Sequence, residues 1–291
     1  MASNTSAPFP LPIVDHHAHL RPGARGLEAA AKFEKLGGSH MFLATQNYVP
    51  HPPTTLDDYR TQFETTIDIA GKVEENTTVK VFPVIAPYPV DMVEVAKKHG
   101  LEMAEKLQCD ALQLAGKYVS EKKAVALGEA GRAHFPIEAP MREAMERVLI
   151  RAMEVARDVG CPIVLHTEDF NEATYRSMAQ TAKKVGIPPE KVIKHYARAY
   201  FPPASRHEVV PSFLAKRELV LKALEDKGTW FLETDYLNDP ERPGKVLSLE
   251  TIPRRVHWIG AMMDSPTMVE KLSTPFVKAP KKVYGLDLAR K

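Results

Sequence analysis

The run Ile13-Val14-Asp15-His16-His17-Ala18-His19-Leu20 opens on an apolar pair and closes on a cluster of metal-ligand residue types. In an extended strand alternate side chains share a face, so His17 and His19 should point one way and His16 and Ala18 the other. Two imidazoles side by side at a strand end form a rigid clamp for a nitrogen-preferring cation. A pair of surface histidines on a strand is also an ordinary occurrence, so its meaning depends on what the other strands carry.

Short apolar runs alternate with amphipathic helical patterns along the whole chain, the sign of repeated βα units and a parallel sheet. Strands are expected over Ile13–Leu20, Met41–Thr45, Val79–Ala86, Ala124–Ala130, Pro162–Thr167, Val192–Tyr196, Val209–Leu214 and Thr229–Asp235, which is the barrel number of eight. Helical spacing is clearest from Met141 through Met145, Val148, Leu149, Ala152, Val155, Ala156 and Val159, with Gly160 as a stop, and again over Glu172–Val185 before Gly186. The expected fold is α/β, a single (β/α)8 TIM barrel over residues 1–291. The loop Asn238–Gly244 would then follow strand eight on the face where barrels carry their active sites.

Five of the expected strands end in His, Glu or Asp: at His17 and His19, at Glu129, at His166, at His195, and at Glu233-Thr234-Asp235. Taken singly, a strand-end histidine is a packing residue and a strand-end carboxylate a helix cap. A barrel, however, gathers the C-terminal ends of its strands on one face. The six side chains His17, His19, Glu129, His166, His195 and Asp235 should therefore converge around one or two divalent cations.

Bulk properties narrow the alternatives. With 39 basic against 37 acidic side chains the net charge is +2, too small for a field that advertises nucleic acid or membrane as a partner. Two cysteines, Cys109 and Cys161, are too few for a disulfide framework or a thiolate zinc site, so a metal must be held by imidazole and carboxylate. No run reaches membrane-spanning length, and Met1–Pro12 has neither the basic residues nor the apolar stretch of a signal peptide, so a cytoplasmic protein is expected. No pattern specifies an oligomeric state.

The ordered set resembles the amidohydrolase superfamily, and within it the TatD-type metal-dependent hydrolases. The matching pieces are Asp15, His17 and His19; Gly128-Glu129-Ala130-Gly131; Pro162 through His166; Lys194-His195; and Leu232-Glu233-Thr234-Asp235, with a tail Lys281-Lys282-Val283-Tyr284-Gly285-Leu286 similar to the family's closing helix and turn. The resemblance implies that His17, His19, Glu129 and Asp235 serve one metal, and that Glu129 reaches a second held by His166 and His195. It implies a phosphodiesterase or deoxyribonuclease, and Asp235 as the group that takes and returns the proton of the attacking water. Zinc suits the mixed ligands best, with manganese, iron or magnesium as alternatives.

Two departures bear on substrate. The nucleases usually follow the fourth-strand glutamate with Gly-Leu-Asp, whereas here Gly131 precedes Arg132, Ala133 and His134. After the fifth-strand histidine they often carry a Ser-Arg pair, whereas Thr167 and Glu168 stand here, and an acid at that place repels phosphate. A small or single-stranded substrate is therefore expected. The alternatives are hydrolysis of a small ester, lactone or cyclic amide by the same metal cradle, and a metal-bearing barrel without turnover, against which the retained Asp235 argues. Asp15 and Glu233 are expected behind the ligands, orienting imidazoles or stabilising the barrel floor. Arg132, His134, Arg198 and Arg206 are weaker candidates for substrate contact. Lys278–Lys282 is read as a solvated surface, and Cys161 as a small buried residue.

Overall fold

In the computed structural model, residues 9–49, 51–238 and 246–289 are described. Among the described residues there are nine parallel strands: β1 (Val14–His19), β2 (His40–Ala44), β3 (Lys80–Ile85), β4 (Ala126–Gly131), β5 (Ile163–His166), β6 (Val192–Ala197), β7 (Val210–Leu214), β8 (Phe231–Glu233) and β9 (Tyr236–Leu237). Their spatial order is β8-β7-β6-β5-β4-β3-β2-β1-β9. β8 lies within the expected eighth strand Thr229–Asp235, and β9 continues it beyond that expected end after a break at Thr234–Asp235, where Asp235 takes a left-handed φ of 49°. Below the break β8 pairs with β7, and above it β9 pairs with β1. The Asp235 amide also donates to the His17 carbonyl at 2.9 Å. One strand thus touches both neighbours and closes the expected TIM barrel. Of the expected loop Asn238–Gly244, all but Asn238 lies outside the described residues.

The helices follow from the periodicities that announce them. The helix Ala139–Val159 buries Ala144, Met145, Val148, Leu149, Ala152, Val155 and Ala156, and Gly160 ends it in the left-handed conformation. Each buried Met, Val or Leu among these contributes roughly 1.5–3 kcal/mol relative to exposure, before the entropy of ordering it is counted, and each alanine less. Glu172–Val185 ends the same way at Gly186. The helix Leu56–Asn76 starts at a reciprocal capping box between Thr55 and Asp58. Among the described residues no helix is long and apolar enough to cross a membrane.

The sequence reading needs one correction in β1. Simple alternation turns His16 away from the barrel interior, but the β1–β2 register shifts between Asp15 and Ala18. His16 instead stacks on Phe231 with ring centroids 3.8 Å apart, and its ring nitrogens meet Ser212 Oγ at 3.0 Å and Tyr284 Oη at 2.7 Å. The irregularity keeps His16 in the lower packed layer while His17 and His19 turn to the barrel mouth. Both cysteines are free, and Cys161 is buried.

Candidate metal centre

The six expected ligand residues lie together at the C-terminal ends of β1, β4, β5 and β6 and at the break after β8. Glu129 is the hub. Its Oε1 lies 2.6 Å from His195 Nε2, 3.2 Å from His166 Nδ1 and 3.5 Å from His17 Nε2, and its Oε2 lies 3.9 Å from His19 Nε2. Asp235 Oδ1 completes the opposite side, 3.4 Å from His19 Nε2 and 3.9 Å from His17 Nε2. His17 Nε2 and His19 Nε2 are 3.2 Å apart, as His166 Nδ1 and His195 Nε2 are 3.3 Å apart. Donors bonded to one tetrahedral ion at zinc–nitrogen distances are separated by about 3.3–3.4 Å. Among the described residues three groups bring one donor atom from each member within 4.8 Å of the others: His17, His19 and Glu129; His17, His195 and Asp235; and Glu129, His166 and His195.

Hydrogen bonding fixes which nitrogens face the centre. His19 Nδ1 lies 3.1 Å from the Ala44 carbonyl, an acceptor, so Nδ1 carries the proton and the Nε2 lone pair points inward. That nitrogen lies 3.2 Å from His17 Nε2, close enough for both rings to hold one cation. His166 turns the other way, with Nδ1 toward Glu129 and Nε2 lying 2.8 Å from His134 Nδ1 and 3.3 Å from Tyr88 Oη. If Nδ1 serves the centre, Nε2–H donates to His134 Nδ1, and His134 Nε2–H is left as a donor.

Behind the ligands the two expected carboxylates behave differently. Glu233 faces His195 Nδ1 at 3.4 Å, and its Oε1 accepts the Tyr196 amide at 2.6 Å. His195 Nδ1 and Glu233 Oε2 are both buried without a formal hydrogen bond, the state of an imidazole and carboxylate whose charges a cation beyond the ring would balance. Asp15 serves backbone rather than an imidazole: it accepts from the amides of His17 (3.2 Å) and Thr234 (3.1 Å) and from Thr234 Oγ1 (2.6 Å). It thereby holds β1 and the broken eighth strand in register. Burial raises the Asp15 carboxyl to about 7 against those donors. Burial also tends to raise Glu129 and Asp235, but the imidazoles around them outweigh it and hold both carboxyls below their ordinary values.

Gly131 sets the distance between the fourth and fifth strands. It has φ 146°, and a Cβ there would lie 2.0 Å from the His166 carbonyl oxygen. Just beyond it, Arg132 donates to Glu168 through Nε (3.0 Å) and Nη2 (2.6 Å) and to Glu146 through Nη1 (2.6 Å). This ion-paired clasp ties the loops after β4 and β5 together and holds His134 against His166.

A cavity of about 470 Å³ opens over the donor cluster. Its walls include His134, Arg198 and Asp169, together with Thr45, Gln46, Asn47 and Tyr88 from the loops after β2 and β3, which the sequence reading passed over. The polar run Thr45-Gln46-Asn47 directly after an apolar strand was the available signal, since barrel sites are built from those loops. Three of the arginine and glutamate expectations change. Arg132 is consumed by Glu168 and Glu146 and does not line the cavity. Glu168, expected to repel a phosphate, has its charge answered by Arg132, and the acid on the wall is Asp169. Arg206 is buried elsewhere against Asp226 at 3.0 Å. Arg198 does line the cavity, ion-paired to Asp169.

Comparison with known proteins agrees with this architecture. A family profile described as TatD related DNase matches residues 14–285. An uncharacterized protein of Methanocaldococcus jannaschii is 32% identical over 250 residues, 84% of this chain and 86% of that protein. The crystal structure of a TatD-like protein from Archaeoglobus fulgidus superposes with a TM-score of 0.59 at 16% identity, covering 94% of this chain and 100% of the other. That of a phosphotriesterase homology protein from Escherichia coli, complexed with phosphate in its active site, superposes with a TM-score of 0.58 at 12% identity over 94% of this chain and 99% of that one.

Proposed function

The chain belongs to the TatD related DNase family of metal-dependent hydrolases, and on that premise we propose that it hydrolyses phosphodiesters in small or single-stranded substrates. The observation that carries the proposal is the six-residue donor cluster, of which all but His17 line a cavity of about 470 Å³, a volume suited to a small molecule or to one or two nucleotides of a strand. His17, His19, Asp235 and Glu129 would hold one cation, and Glu129, His166 and His195 a second. The imidazole and carboxylate donors favour zinc, with manganese, iron or magnesium as alternatives. When bound, such cations supply Lewis acidity to water and to a phosphoryl or carbonyl oxygen.

The chain's own groups do the rest. Asp235 is held ionised below neutral pH by His19 and the neighbouring imidazoles despite its burial, so its carboxylate can take a proton from water at the cavity floor and return it to the leaving oxygen. His134 presents an Nε2–H donor at the wall for a non-bridging substrate oxygen. The three arginines considered for phosphate contact are all ion-paired, which disfavours binding a long duplex through many phosphates. Asp169 beside Arg198 supports a second reading, an uncharged ester or lactone as substrate.

The test compares metal-loaded protein on single-stranded DNA, duplex DNA, an aryl phosphodiester and a lactone panel, with Asp235→Asn as the control. An asparagine keeps the volume and an oxygen but cannot accept the proton, so turnover should fall on the order of 10² to 10⁴-fold with folding retained. Fast duplex cleavage that disappears in the variant would overturn the substrate reading. Normal turnover by the variant at unchanged metal content would overturn the role of Asp235.

A further inference from the structure

Two basic features far apart in the sequence meet at the other end of the barrel. Arg206 precedes β7, Lys227 precedes β8, and Lys278 and Lys282 belong to the C-terminal segment comprising the π-turn Thr274–Lys278 and the helix Ala279–Tyr284. All four line a second cavity of about 390 Å³, with Gly228 and Thr229 on its wall. The residues preceding β7 and β8 mark it as lying at the N-terminal ends of those strands, opposite the metal centre.

The electrostatics of this cavity are unbalanced. Its lining has four cations and one carboxylate, Glu208, with Asp226 buried behind Arg206. Asp226 is committed to Arg206 Nη2 at 3.0 Å and to the Gly228 amide at 2.6 Å, and Glu208 pairs with Lys183 at 3.8 Å. Among the described residues no carboxylate pairs with Lys227 or Lys278, and Lys282 Nζ reaches only the Thr229 hydroxyl at 3.4 Å. At the base Arg206 is 2% exposed, and its Nη1 is buried without a hydrogen-bond partner. A buried guanidinium with an unmet donor is costly. Here it underlies three exposed ammonium groups, so an anion with several acceptor oxygens would answer the uncompensated charge.

We propose that this cavity is a binding site for a small phosphorylated molecule, with the phosphoryl group held by Lys278, Lys282 and Lys227 over the Arg206 base. A phosphoryl dianion supplies the charge and the acceptors that three lysines and a guanidinium demand. The volume lies within the range for a small organic ligand and leaves room for a sugar-sized remainder. The proposal is independent of the reaction carried out at the metal centre.

The test is calorimetric titration of chelator-stripped protein with ribose 5-phosphate, inorganic phosphate, ribose and a single-stranded oligonucleotide. His17→Ala/His19→Ala protein serves as the background that removes the metal centre. Saturable binding of ribose 5-phosphate, weaker binding of inorganic phosphate and no binding of ribose are expected in both backgrounds. Lys278→Glu/Lys282→Glu should weaken ribose 5-phosphate at least about tenfold, because it reverses two charges at the phosphoryl position. Lys278→Gln/Lys282→Gln, which only neutralises them, should give an intermediate loss with an unchanged melting temperature. The proposal fails if there is no saturable binding up to about 10 mM, if the charge-reversed protein binds equally, if binding vanishes with the metal-ligand histidines, or if the oligonucleotide alone binds.

Discussion

Replacing Gly131 by alanine tests how tightly the backbone places the second pair of imidazoles. The added Cβ would lie 2.0 Å from the His166 carbonyl oxygen, with the His166 carbonyl carbon at 3.0 Å. An ordinary carbon–oxygen contact needs about 3.3 Å, so one strand end must move by more than about 1 Å. The φ of 146° adds strain that a non-glycine residue bears at about 1–3 kcal/mol. Metal ligation tolerates about 0.2 Å in bond length. Gly131→Ala should therefore lose the cation shared by His166 and His195, or weaken it at least about 100-fold, and lose at least about 2 kcal/mol of stability. Gly160→Ala is the matched control: its φ is 72°, but a Cβ there meets nothing within 4 Å, so it should carry backbone strain alone and keep the full metal count. The assays are urea unfolding and competition with a chromophoric chelator. Normal stability and an unchanged metal count in Gly131→Ala would refute the claim that this close approach positions His166.

His134→Phe removes the acceptor for His166 Nε2–H, and metal affinity on that side should fall about 10 to 100-fold, with Tyr88 Oη at 3.3 Å keeping the loss toward the lower end; chelator competition measures it, and unchanged affinity in a His134→Phe/Tyr88→Phe double variant would contradict the role. Asp91 supplies a pH test away from the donor cluster. Burial raises its carboxyl to about 7, only partly offset by Asn47, and its Oδ2 is buried without a hydrogen bond. A carboxyl raised in the fold above its unfolded value stabilises fully below about pH 4, and that contribution is lost as pH rises toward 7. Asp91→Asn should thus match the wild type near pH 4 and exceed it at pH 8, by on the order of 1–4 kcal/mol in chemical denaturation; a constant difference across that range would contradict the assignment.

The barrel was legible because its strands are short apolar runs and its helices carry a clean 3.6-residue stripe, as in Ala139–Val159. The donor cluster was legible because a barrel aligns strand ends, so residues at Glu129, His166 and His195 could be expected together from their positions on separate strands. Less accessible was anything decided by a local irregularity or a long-range pairing. The register shift in β1 sent His16 into the lower core, and the break at Thr234–Asp235 depends on Asp15, 219 positions away. Arg132 reads in sequence as a candidate substrate contact and Glu168 as an acid that repels phosphate, yet they neutralise one another across the β4 and β5 loops. Arg206 and Lys278–Lys282 gave no hint of a shared cavity, because adjacency between the start of β7 and the C-terminal segment exists only in the folded chain.

The central claim is that the six donor residues hold divalent cations on which hydrolysis depends. Elemental analysis of freshly purified protein, run beside His17→Ala/His19→Ala with activity measured on the same samples, tests it most directly. One to two divalent ions per chain in the wild type, with the site emptied and turnover lost in the variant, is the predicted result. A wild-type protein that is free of metal yet fully active would contradict the account.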